Sequence, residues 1–88
     1  MDFQQKWTKS TKVGLRPEPF GALAYHFDTR RLVFLKSLAL VDLVERLSDY
    51  ATADEAIDQA TASTATSRRS FETALDSLAE AGIIEVAA

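Results

Sequence analysis

The chain has 88 residues, 47% hydrophobic and 26% charged, with a net charge of −3. That is room for one small domain, which buries only a little over ~60% of its unfolded surface. The absence of cysteine excludes disulfide staples and thiolate-ligated metal sites, and the lone His26 excludes a His-rich metal site.

Residues 1–12 read as a flexible basic arm, and residues 13–88 as a single domain. The arm holds Phe3 and Trp7 as its only large apolar residues. Its end can become a strand near Trp7, with that side chain plugging the rim of a small core. Val13-Gly14-Leu15-Arg16 alternates with the period of a strand. Pro17 and Pro19 then predict an extended connection, because proline removes a ladder donor and fixes φ. Phe20 to Phe27 alternates again, and Leu32-Val33-Phe34-Leu35 is a further strand after the polar break at Asp28-Thr29-Arg30-Arg31. A tight turn pairing Asp28 with Arg31 sets Phe27 opposite Leu32 and Tyr25 opposite Phe34; Thr29-Arg30 is not a favoured two-residue turn, so a longer loop is the alternative. Leu32 and Phe34 are then expected to point inward, and Val33 and Leu35 outward.

The rest reads as helices. Ser37 caps a helix with Leu40, Val41, Leu43, Val44 and Leu47 on one face. Thr52-Ala53-Asp54-Glu55 has the form of a capping box. A small polar linker over 61–67 leads to a third helix from about Arg68, with Phe71, Leu75 and Leu78 at helical spacing and Gly82 at its C′ position. Ile83-Ile84-Glu85-Val86 closes the chain as a short strand. The predicted fold is therefore α+β and winged-helix-like: an N-terminal three-stranded antiparallel sheet, three helices and a short C-terminal strand.

No catalytic constellation is visible. The three glycines, Gly14, Gly21 and Gly82, are too far apart for a phosphate loop, and Asp42, Glu45 and Asp49 fit a solvated helix face. His26, among small alanines, fits a hydrogen-bonded structural role. With no apolar run near the ~20 residues of a membrane span and no apolar signal region, a cytoplasmic protein is expected.

Charge is unevenly divided. Residues 1–36 carry seven basic and three acidic side chains, and residues 37–88 three basic and ten acidic. The strand Leu32–Leu35 is apolar on both faces and flanked by Arg30, Arg31 and Lys36. As the last strand of a meander it lies at a sheet edge that nothing in its middle blunts. Two readings follow: Val33 and Leu35 pack under a helix or in a homodimer, or the edge accepts an extended acidic peptide. The third helix offers an alternative function, a winged-helix DNA-binding regulator with Arg68 and Arg69 on phosphates. Glu72, Asp76 and Glu80 at four-residue spacing on that helix oppose it.

The run from Val13 to Phe27, with its Leu15-Arg16-Pro17-Glu18-Pro19-Phe20-Gly21-Ala22-Leu23 segment, and the run from Arg31 to Ser37 resemble the MftB family of peptide chaperones in mycofactocin biosynthesis. That family is similar to the PqqD-like RiPP recognition elements. The resemblance covers the chain from about Trp7 to Val86, with Leu38 standing where such sequences carry proline. It implies a non-enzymatic role: binding the leader of a ribosomally made precursor peptide and presenting it to a radical SAM maturase. Iron–sulfur clusters and S-adenosylmethionine belong to that enzyme, so no cofactor is expected in this chain. The expected partners are the precursor peptide and the maturase, not DNA or a membrane. In the family the leader adds to the third strand and rests against the third helix. Here this implies a peptide site of Arg30, Arg31, Leu32, Val33, Phe34, Leu35 and Lys36, with Arg68, Arg69, Glu72, Leu75, Asp76 and Ala79. The basic half adds the expectation that the leader is acidic.

Overall fold

The computed structural model describes residues 1–87. The elements run β1 (Trp7–Lys9), β2 (Val13–Glu18), β3 (Gly21–His26), β4 (Leu32–Leu35), α1 (Leu38–Arg46), a 3-10 turn (Leu47–Asp49), α2 (Ala53–Ser63), α3 (Arg68–Glu80) and β5 (Ile84–Val86). The fold is α+β, with β2-β3-β4 forming one antiparallel sheet and β1 pairing with β5 in a second. α1 packs over one face of the larger sheet, α2 packs against α1, and α3 packs against α2 and β5, around a shared core of Phe71, Leu43, Val44, Leu47, Ile57, Leu75 and Ile83.

Each helix starts as its sequence dictates. The hydroxyls of Ser37, Thr52 and Ser67 accept the N–H groups of Leu40, Glu55 and Ser70 at 3.0, 3.1 and 3.2 Å. Gly82 takes φ of 77°, and the N–H of Ile83 donates to Leu78 O at 2.9 Å, closing the expected C′ motif.

The stretch expected as a basic arm lies against the domain. Trp7 is buried and opposes Val86, and its indole N–H donates to Asp2 O at 2.7 Å. The carbonyls of Gln5 and Phe3 accept the N–H groups of Ala53 and Asp54, both at 2.9 Å. Those are first-turn donors of α2 with no partner inside the helix. The N-terminal segment thus completes the cap that Thr52 begins.

Three expectations about the sheet are corrected. Tyr25 opposes Leu32 and Leu23 opposes Phe34, a shift of two residues from the expected register. A longer loop causes it: Arg30 adopts φ of 61°, its N–H donates to His26 O at 2.8 Å, and the His26 N–H donates to Arg31 O at 3.0 Å. His26 Nδ1 accepts the N–H groups of Asp28 and Thr29, so the histidine organises this turn.

The faces are also reversed. Leu35 is fully buried and Val33 packs on the core, whereas Leu32 and Phe34 are exposed. The inner face of β3 is Ala22 and Ala24, both buried, and α1 packs against it. Small residues let a helix approach the sheet closely, so the bulky side chains occupy the opposite face. Pro17 also does not end β2, which runs to Glu18. Its missing donor lies on the side of β2 away from β3, where a ladder needs none.

Gly21 is the tightest point of this arrangement, since a Cβ there would overlap the backbone carbonyl oxygen of Leu35. Gly21→Ala should therefore lower unfolding free energy by about 2–4 kcal/mol in urea titrations, through displacement of β4. The wild-type midpoint in that variant would contradict the close approach.

Candidate functional site

Hydrogen-bond parity in the sheet decides which backbone groups are available. Phe27 N–H donates to Lys12 O at 2.8 Å and His26 N–H to Arg31 O. Antiparallel partners alternate between bonded and non-bonded pairs. The odd-numbered residues of β3 therefore bond to β2 and the even-numbered ones to β4. Val33 and Leu35 face Ala24 and Ala22, leaving the N–H and C=O groups of Leu32 and Phe34 on the outer edge.

The sheet has two edges, and they differ. On β2, Pro17 offers no donor to the outside, and the Val13 carbonyl accepts a hydrogen bond from Lys9 Nζ. On β4 no strand, proline or side-chain cover meets the outward groups among the described residues. The open edge coexists with a buried Leu35 and a half-buried Val33, so the two readings of this strand are not exclusive.

Beside that edge is a cavity of about 270 Å³, lined by Val33, Phe34 and Lys36 from β4 and its end, Leu40 from α1, and Ala74, Ser77 and Leu78 from α3. A shallower one, lined by Ser67, Arg69, Ser70, Thr73, Ala74 and Ser77, shares Ala74 and Ser77 with it. Together they form a groove along α3 with an apolar floor and cations at Lys36 and Arg69. An extended segment paired with β4 would direct alternate side chains into it.

The expected site residues divide clearly. Arg30, Arg31, Leu32 and Phe34 are exposed along β4 and its turn, Val33 and Lys36 line the groove, and Arg69 lies on its extension. Leu35 and Leu75 are fully buried in the core, where no peptide can touch their side chains. Ala79 also packs against the core.

Arg68, Glu72 and Asp76 lie on another flank. Arg68 donates to the carboxylates of Asp54 and Asp58 on α2 and to Glu72 at 3.1 Å. Asp76 receives the N-terminal ammonium of Met1 at 2.9 Å. The charged stripe that stood out in the sequence thus ties α3 to α2 and the N-terminus. The groove residues Ala74 and Ser77, small and uncharged, were missed. Their signal was the position one residue ahead of the buried Leu75 and Leu78, on the side turned to β4. Arg68, one of two residues that suggested phosphate contact, is already bound to three carboxylates. Among the described residues no cluster of His, Asp or Glu could hold a metal ion, and no helix is long and apolar enough to cross a membrane.

This assignment separates the two neighbouring arginines. Arg68→Ala should lower stability by about 1–2 kcal/mol, a network rather than a lone surface pair being lost, with peptide affinity unchanged. Arg69→Ala should leave the melting temperature unchanged and weaken binding of an acidic leader about threefold to tenfold by calorimetry. The reverse pattern would place the peptide on the α2 flank.

Comparison with known proteins bears on the same elements. A family profile described as the peptide chaperone MftB family matches residues 6–85. Over 51 residues the chain is 49% identical to a protein named peptide chaperone MftB from Mycolicibacterium smegmatis, covering 58% of this chain and 50% of that protein. Its namesake from Mycobacterium tuberculosis is 49% identical over 49 residues, 56% of this chain and 45% of the relative. That from Mycobacterium ulcerans is 47% identical over 49 residues, with the same coverage. The matched chain thus spans about half the length of these curated relatives. No solved structure matches. With nearly its whole length inside that profile, the chain belongs to the peptide chaperone MftB family.

Proposed function

We propose that this chain is a peptide chaperone of mycofactocin biosynthesis that binds the leader of a ribosomally made precursor by strand addition at β4 and presents it, in the cytoplasm, to a radical SAM maturase. One observation carries the reading: of the two edges of the three-stranded sheet, the unblunted one runs beside an apolar groove on α3. Family membership supports the chaperone role, since the relatives are named peptide chaperones and not enzymes.

The geometry supports a division of labour. The backbone groups of Leu32 and Phe34 supply hydrogen bonds that any extended peptide can satisfy. Selectivity comes from the groove. Val33, Leu40 and Leu78 favour an aliphatic side chain, Ala74 and Ser77 leave room for it, and Lys36 and Arg69 favour carboxylates beside it. Arg30 and Arg31, exposed at the turn, extend the positive field toward an acidic leader. The protein performs no bond chemistry in this account. It raises the local concentration of the peptide's far end at the enzyme.

Two prolines test the edge directly. The Phe34 N–H points outward, so Phe34→Pro should keep a native circular dichroism spectrum and weaken leader binding about tenfold or more, combining a lost hydrogen bond with a steric clash. The Val33 N–H points to Ala24, so Val33→Pro should unfold or severely destabilise the sheet. Full leader binding by folded Phe34→Pro protein would remove strand addition at β4.

A further inference from the structure

The outer face of the larger sheet carries the main group of exposed apolar side chains. Phe20, Tyr25, Phe27, Leu32 and Phe34 are each between 37% and 59% exposed. They are ordered relative to one another: Phe20 and Phe34 stack at 5.3 Å, and Tyr25 and Phe27 meet edge to face at 5.7 Å. Leu23 opposite Phe34 and Leu32 opposite Tyr25 join the two aromatic pairs into one surface. At ~200 Å² per fully exposed aromatic side chain, these five leave on the order of 500 Å² of apolar area. That is about the apolar share of the ~800 Å² that one partner contributes to a standard protein interface.

The surroundings of this surface indicate its occupant. Lys12, Arg16, Arg30 and Arg31 lie on or beside it. Asp28 and Glu18 pair with the first two at 3.4 and 3.6 Å, while Arg30 and Arg31 have no ion pair among the described residues. The rim is therefore net positive on a chain whose total charge is −3. A second copy would bring two positive rims together, whereas an acidic rim on another protein complements it. Leu32 and Phe34 belong to both surfaces, with backbone groups on the peptide edge and side chains on this face. A protein seated here would border the bound peptide.

We infer that the outer sheet face docks a folded protein whose contact surface has an apolar centre and an acidic rim, and that this protein is the enzyme acting on the presented peptide. The inference rests on the peptide-binding reading above and assigns the two ligands to different faces of one sheet. Backbone pairing holds the leader, and side-chain burial on the far side of the same strands holds the enzyme.

The double variant Phe27→Ser, Arg16→Glu separates the two functions, because both side chains lie away from the β4 edge and neither is buried. With the full chain, a synthetic leader peptide and the purified maturase, leader affinity should stay within about twofold of wild type while maturase affinity falls at least about tenfold by calorimetry. Unchanged maturase affinity overturns the inference. Sedimentation and flotation with phosphatidylglycerol vesicles then identify the other occupants. Loss of a wild-type dimer in the variant would assign the face to a second copy, and loss of vesicle binding would assign it to an anionic membrane. If the wild-type chain does not bind the leader, the peptide reading fails, while its affinity for the maturase still reports on this face.

Discussion

The β3–β4 ladder has one parity, and the architecture of the site depends on it. Even-numbered residues of β3 bond to β4, and the same residues, Ala22 and Ala24, turn small side chains toward the helices. That single choice buries Leu35, directs the backbone of Leu32 and Phe34 to the open edge and sends their side chains to the outer face. Gly21 permits the choice sterically, because any side chain there would overlap the Leu35 carbonyl oxygen. A slip of one residue would exchange both faces of β4 and expose the core.

This parity was the part of the fold least legible in the sequence. The strand Leu32–Leu35 is apolar at every position, so alternation carries no information about which side is buried. A preference for putting the largest side chains inside gave the wrong face. The signal pointing the other way was on β3, where Ala22 and Ala24 alternate with Leu23 and Tyr25. In a sheet covered by a closely packed helix, the small residues mark the contact. The helices were more legible because Ser37, Thr52, Ser67 and Gly82 announce their ends through local hydrogen bonds. The loop at Asp28–Arg31 was not, since nothing in its sequence requires Arg30 to take a positive φ.

The candidate site shows a similar split. Its elements, β4 and α3, followed from the unblunted edge and from family resemblance. Its helical residues did not, because charge draws attention on a helix and charge here has a structural use. Arg68 holds α3 to α2 through Asp54, Asp58 and Glu72, and Asp76 holds the N-terminal ammonium. The face left toward β4 is made of Ala74, Ser77 and Leu78, which read as ordinary helix filler. A binding groove for an extended chain needs space and an apolar floor more than it needs charges, and small residues provide both.

The central claim is that a leader peptide becomes a fourth strand on β4. Amide hydrogen exchange, followed residue by residue with and without saturating leader, tests it most directly. The account predicts strong new protection at Leu32 and Phe34, whose N–H groups face outward, with little change at Val33 and Leu35, already bonded to β3. Protection confined to β2, or saturation of the chain with no protection at Leu32 and Phe34, would contradict it.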